Sequence, residues 1–300
     1  MKKNYLSVFY FVVFINICLF ANITTFFDAG FDARTLGMGD TYCANSDLAS
    51  GVFLNPAGIT NIKKFQISGM YNSTVLDTKS YFLSGVYDLF FLKIGLGIAQ
   101  RRIDGIEKTD GNNVLGNISY TDSVYSVVVA KKFTSFISLA LRIKVLSQQI
   151  DTFSMNGFTL DLGGMLNLKF IYFGILLDNI SFSSMKGKSY WGSENVQETI
   201  PFKIRIGNRI KLPILTPAVD CEFVPSDMNP IRIYFGIEKW INNMFALRCG
   251  VKKQDWENET IFNGFSSGLT LRITRFNLDY SFVNYPVFGF SHYLMFSVNF

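Results

Sequence analysis

Twelve ionisable side chains stand at alternate positions within otherwise apolar segments of this 300-residue chain. Arg142, Lys144, Lys203, Arg205, Arg232, Arg248 and Arg272 face Asp161, Asp220, Glu222, Glu238 and Asp279 in sign. Charges carried on apolar elements need partners, because an uncompensated buried charge is strongly destabilising. Such a set either pairs with itself to fill a narrow interior or lines a path for a solute. Asp220 and Glu222, two residues apart on one face, are a carboxylate pair of the type general acid–base chemistry uses. No nucleophile–base constellation accompanies them. His292 is the only histidine, so no His/Cys metal cluster is possible. Gly37 and Gly39 are spaced as in a phosphate loop, but they follow no parallel strand and lack a third glycine. The expectation is a non-enzyme without cofactor or metal.

The elements that must hold these charges are unusual in composition. Apolar residues make up 49% of the chain, Phe alone accounts for 31 residues, and charged residues are only 17%. Yet beyond residue 20 no run approaches the roughly 18 apolar residues of a transmembrane helix. Hydrophobicity of that kind must be hidden in alternation, which a closed barrel in lipid can exploit. In one segment Ile137, Leu139, Leu141, Ile143 and Val145 point one way while Ser138, Arg142 and Lys144 point the other. Phe276, Leu278, Tyr280 and Phe282 likewise oppose Asn277, Asp279 and Ser281.

Fourteen period-two segments follow: 65–71, 80–89, 91–101, 121–132, 136–148, 157–167, 170–181, 202–210, 214–224, 231–240, 244–252, 264–273, 276–284 and 292–300. After the second, their connections alternate between tight turns and longer loops, with the longest at 102–120 and 182–201. That rhythm is the habit of outer-membrane barrels, in which the turns are periplasmic and the loops external. An even strand count places both termini on the periplasmic side. The chain ends on an amphipathic strand with Phe296, Val298 and Phe300 on its apolar face, a terminal aromatic of the kind that serves as an assembly signal.

The start of the chain reads differently. Lys2 and Lys3 precede a largely apolar stretch, 5–20, and Ala21 is a small residue suited to cleavage. Residues 1–21 are therefore expected to be a signal peptide. Cys18 follows the bulky Ile17, which disfavours lipidation. Loss of the two lysines lowers the formal charge from +5 to +3, too little to argue for nucleic acid. Cys43, Cys221 and Cys249 remain, odd in number and far apart, so no disulfide framework is expected. Residues 22–63 lack the strand pattern, and 64–300 carry it.

Within that early segment, Ala33-Arg34-x-Leu36-Gly37-Met38-Gly39 is followed by Asn55-Pro56-Ala57-Gly58. These motifs resemble the N-terminal signature of the FadL-type barrel superfamily, with greatest similarity to its PorV/PorQ-type branch. Leu160-Asp161-Leu162-Gly163, Leu177-Asp178-Asn179-Ile180 and Ile200-Pro201-x-Lys203-Ile204-Arg205-Ile206-Gly207 extend the resemblance, as do Leu247-Arg248-x-Gly250 and Leu278-Asp279-Tyr280-Ser281-Phe282. It implies an all-β, transmembrane antiparallel barrel of about fourteen strands. It also implies that the N-terminal segment folds back into the lumen as a hatch, with Ala33, Arg34, Gly37, Met38, Gly39, Asn55, Pro56, Ala57 and Gly58 as its motif. The chain departs from the FadL-type transporters in its shorter outer loops, and in Asp40 where a third small residue is usual.

Two functions are compatible with this reading. One is passive transport of small hydrophobic compounds across the outer membrane, with release through a kink or gap in the wall near Gly95 and Gly97, or with those glycines simply fitting crowded inner positions. The other is a PorV-type platform that docks secreted or surface proteins through loop 183–196, which holds Tyr190 and Trp191. Outer-membrane lipid is a partner in both.

Overall fold

Along the strand Ile137–Ile150 burial changes residue by residue. Leu139, Leu141, Ile143 and Val145 are 44% to 50% exposed, while Ser138, Ala140, Arg142 and Lys144 are buried. A soluble sandwich turns its apolar face inward; this chain turns it out. The same inversion recurs in Ile231–Trp240, where Ile231, Ile233 and Phe235 are exposed and Tyr234 and Glu238 are buried. An apolar exterior around a polar interior is the condition of a barrel solvated by lipid.

The computed structural model describes residues 30–73, 78–110, 113–180, 184–187, 196–227, 230–253, 264–285 and 289–300. The expected signal peptide, 1–21, lies outside them, as do most residues of loop 183–196. The strands are β1 (Phe65–Ser73), β2 (Thr78–Asp88), β3 (Lys93–Asp110), β4 (Asn113–Lys132), β5 (Ile137–Ile150), β6 (Phe153–Leu168), β7 (Ile171–Asp178), β8 (Ser184–Gly187) and β9 (Val196–Thr199). The second half comprises β10 (Lys203–Ile210), β11 (Thr216–Phe223), β12 (Ile231–Trp240), β13 (Phe245–Lys253), β14 (Phe265–Ile273), β15 (Phe276–Tyr285) and β16 (Gly289–Asn299).

Fourteen of these close into one antiparallel ring, with β8 and β9 forming a short hairpin that leans on β6. The ring shuts where β1 pairs β16 from Gln66 opposite Asn299 to Ser73 opposite His292. Beyond that ladder the Phe300 N–H donates to the Phe65 carbonyl at 2.9 Å, and the two rings lie 5.5 Å apart. Phe296, Val298 and Phe300 therefore sit on the outward face at the seam, with Phe296 stacked on Phe276 at 5.7 Å. Over the registers in which a ring strand is paired on both sides, its backbone groups meet a neighbour, as lipid demands.

Three connections differ from the sequence expectation, the first being 182–201, which contains the β8–β9 hairpin. Residues 102–120 are mainly an extension of the β3–β4 hairpin, not a loop, and only two residues separate β5 from β6. The extended hairpin carries Arg101, Arg102, Asp104, Glu107 and Lys108 on both faces. It stands beyond the apolar band, where neither face must be greasy, so alternation no longer marks it as strand.

Residues 30–62 run inside the ring. A single turn of helix, α1 (Ala33–Leu36), is capped by Asp32, whose side chain accepts from the Thr35 N–H at 3.1 Å. A 3₁₀ turn follows at Ala49–Val52 and another at Pro56–Asn61. Asn55 caps the latter by accepting from the Ala57 N–H, with Pro56 supplying the preset φ of a first helical position.

Candidate functional site in the lumen

The segment is laid against the wall backbone to backbone. A Cβ on Gly236 of β12 would come within 2.1 Å of the Met38 carbonyl oxygen, and one on Gly250 of β13 within 2.2 Å of the Gly39 nitrogen. Gly39 itself has φ +66 and its N–H donates to the Ser266 hydroxyl at 2.9 Å. Any side chain at these contacts would lift the segment off the strands. Gly37 rests on Gly268 in the same way. Ala33, Met38 and Ala57 are fully buried between segment and wall.

Asn55 ties the two halves of the segment together. Its Nδ2 donates to the Cys43 carbonyl at 2.7 Å and to the Gly164 carbonyl of β6 at 3.2 Å. Pro56 and Asn55 lie over Gly163, and Gly58 lies against the Ser46 carbonyl.

Charges form three knots around this segment. In the first, Arg142 pairs with Asp161 and donates to the carbonyls of Val52 (3.1 Å) and Leu54 (2.7 Å). Lys144 donates to Asp178 at 2.6 Å and lies 3.2 Å from Asp161. In the second, Arg205 reaches Asp220 (2.9 Å), Glu222 (3.3 Å) and the Asp40 carbonyl. Its guanidinium lies between the rings of Tyr42 and Tyr234, 3.7 and 3.8 Å from their centroids. Asp220 also accepts the N–H groups of Tyr42 and Cys43, and Arg232 joins Glu222 to Asp227. Lys203 is buried on the same face, one step toward the loop end from Arg205. In the third, Glu238 receives both Arg34 and Arg248, and Arg248 continues to Asp279 at 3.2 Å.

Arg272 stands apart from the other eleven. It occupies the luminal face of β14 but lies exposed at the turn-end mouth, over the Trp240 ring at 4.2 Å and bonded to Asn277. Register alone put it among the network charges; the turn beside it lifts it out. The carboxylates Asp220 and Glu222 are side by side, but Asp220 is engaged by Arg205 and two backbone amides, and Glu222 by Arg205, Arg232 and the Tyr234 hydroxyl. His292 is outward and exposed on β16, with Nδ1 2.7 Å from the Tyr280 hydroxyl.

Several participants escaped the sequence reading. Arg209 extends the face of Lys203 and Arg205 by two more steps and binds Asp47 (3.0 Å) and Asn45 (2.7 Å). Asp47 also receives Arg34 at 2.6 Å. Burial alone would raise the Asp47 carboxyl; Arg34 and Arg209 override it and hold the group well below the usual carboxylate range. Asp40, also buried, is pushed up to about 6, with Arg205 and Lys252 only partly offsetting the loss of solvent. Its Oδ1 has no hydrogen-bond partner among the described residues. Burial likewise drives the Cys43 thiol up, so it is a neutral packing group.

Beside the knots an apolar cluster fills part of the lumen, among buried polar groups such as Ser84, Asp122, Ser123 and Ser126. Phe31 and Phe53 stack at 5.0 Å, and Phe82 meets both edge-on. Val124, Leu146, Met155, Met185, Ile200 and Met295 continue this surface. Its wall members come from β1 to β6, β8, β15 and β16, whereas the first two charge knots hold the side formed by β5 to β12. A small cavity lies at the boundary, between Phe31, Phe53 and Val124 on one flank and Lys144, Arg205 and Glu222 on the other. Gly95 and Gly97 face this apolar side: Cβ atoms there would strike Val52 and Phe53. Pairing of β3 with β2 and β4 is continuous from Lys93 to Ile103, so the glycines accommodate the segment without bulging the strand. The register shifts fall farther out, between Ile103 and Ile106 and between Lys108 and Thr109.

No protein-family model and no curated protein matches the sequence. Solved structures do match the fold. A monoaromatic hydrocarbon channel, CymD, superposes with TM-score 0.64 at 14% identity, covering 91% of this chain and 98% of its own. The toluene transporter TodX of Pseudomonas putida gives 0.66 at 11% identity, over 90% and 99% of the two chains. A FadL homologue of Pseudomonas aeruginosa gives 0.56 at 10%, over 89% and 96%. At these identities the likeness is one of fold: a closed, fourteen-stranded antiparallel barrel with a segment preceding it.

Proposed function

We propose that this protein is an outer-membrane barrel for passive transport of small hydrophobic compounds, with residues 30–62 acting as the hatch of its lumen. The observation that carries the reading is the apolar cluster inside the barrel. A barrel interior that only had to be filled would need no continuous surface of Phe31, Phe53, Phe82, Met155 and Met185 beside the charge knots. Methionine suits it to compounds of varied shape, since its thioether chain repacks easily. Burial of apolar ligand area supplies the affinity, at about 25 cal/mol per Å². The fold shared with CymD and TodX, whose names state hydrocarbon and toluene transport, supports the same class of cargo.

Purified protein is expected to bind a labelled monoaromatic compound saturably, and Phe53→Asp to abolish that binding while the barrel stays folded. No binding by the wild type, together with a stable protein partner in pull-down, would sink the transport reading. The docking alternative rests on a loop largely outside the described residues, and no structural observation favours it.

A further inference from the structure

The tight-turn end of the barrel has a charge pattern that neither transport nor the hatch uses. Where β1 begins and at five of the six tight turns stand Lys63, Lys64, Lys131, Lys132, Lys169, Lys211, Lys239 and Arg275, all exposed. The side-chain carboxylate in these turns is Asp88, and Lys93 holds it at 2.5 Å. None of the eight cations has a carboxylate partner among the described residues. At the opposite end Arg102 pairs with Asp104 and Lys108 with Asp151, while Lys79 stands exposed.

The same turns are apolar at their tips. Phe90 is fully exposed, Ile214 is 70% exposed, and Phe91, Phe133 and Phe170 are more than half exposed. Lys131 lies over the Phe133 ring at 5.5 Å, and Lys169 over Phe170 at 5.0 Å. A partner for this end must therefore accept apolar side chains and supply negative charge at the same depth. It must also do so around a perimeter, because the cations are distributed over the turns of the whole ring and form no single patch. A protein docks on a patch; an annulus of lipid meets a perimeter.

We infer that the tight-turn end is a binding surface for anionic phospholipid headgroups, with the aromatic tips at headgroup depth and the lysines reaching the phosphates. Aromatic rings favour that depth, and long basic side chains extend to it while their stems stay against apolar surface. The attraction is additive over cations near the membrane and is screened by salt. The ring fixes how deep the barrel sits and which lipids surround its turn end.

Full-length protein in phosphatidylcholine vesicles, with trace spin-labelled phosphatidylglycerol or phosphatidylcholine, reports the relative affinity of each lipid by electron paramagnetic resonance. Phosphatidylglycerol is expected to be held about fivefold more tightly at low salt and to approach parity at about 1 M salt. A variant combining Lys131→Gln, Lys132→Gln, Lys169→Gln, Lys211→Gln, Lys239→Gln and Arg275→Gln should show parity at low salt. Arg102→Gln with Lys108→Gln should leave the preference intact. If the sixfold variant fails to fold, Lys131→Gln with Lys132→Gln alone should still lower the preference. Parity in the wild type, an unchanged preference in the turn-end variants, or its loss only in the opposite-end variant would overturn the inference.

Discussion

The Arg34 guanidinium meets the Glu238 carboxylate as a two-point fork, Nε to Oε2 at 3.0 Å and Nη2 to Oε1 at 3.1 Å. One residue belongs to the segment inside the barrel and the other to its wall. The fork, with Asp47 on the far side of Arg34, is the charged anchor at the N-terminal end of the segment. Arg34→Ala leaves Glu238 with Arg248 and the Trp240 indole N–H and should cost about 3 kcal/mol of segment docking. Hydrogen exchange at residues 37–44 should accelerate by about a hundredfold, with the ring strands unaffected. Arg34→Lys, which keeps charge without the planar fork, should fall between.

The glycine seats give a test that uses no charge. Gly250→Val places a branched side chain where the Gly39 backbone lies. The segment should become sensitive to protease while the barrel keeps its heat-modifiable migration on gels. Gly85→Val, at an outward position clear of the segment, should change neither.

Asp40 predicts a pH dependence whose sign follows from its raised carboxyl. Between about pH 4 and pH 6 the folded protein holds this proton more tightly than the unfolded chain does. The stabilisation is complete below about 4 and is lost as pH rises through 6, a change on the order of 3 kcal/mol. Asp40→Asn should remove that component, so the melting temperature of the wild type should fall relative to the variant between pH 4.5 and pH 7. Arg205, Lys252, Glu222 and Asp220 face the group in both proteins, and their contributions cancel to first order in the difference.

Phe300 contributes a backbone hydrogen bond and a ring contact across the closing seam. Deleting it should slow barrel assembly in cells several-fold, read as the ratio of unfolded to heat-modifiable protein after a pulse of synthesis. Phe300→Tyr should restore the rate.

The strand ring was legible because lipid outside and polar groups inside impose a period of two that no local choice can blur. Leu139 and Arg142 can be assigned to opposite faces from their spacing alone. The β3–β4 extension was not legible, since beyond the apolar band Arg102 and Glu107 need face neither lipid nor lumen. The seat of the N-terminal segment was hidden for another reason. Gly236, Gly250 and Gly268 each read as an isolated glycine in a strand, and only closure of the ring brings them beneath Met38, Gly39 and Gly37. Arg272 shows the limit of register: it gives the face of a residue but not its depth. The partners of the charges, such as Asp47 with both Arg34 and Arg209, depend on contacts far apart in sequence.

The central claim is that the apolar cluster in the lumen carries hydrophobic cargo past the segment. It is tested most directly by uptake of a radiolabelled monoaromatic compound into diderm cells making the full chain, the Phe53→Asp variant, or neither. The account predicts saturable uptake above background with the wild type and background uptake with Phe53→Asp at equal amounts of folded barrel. Equal uptake in all three would contradict it.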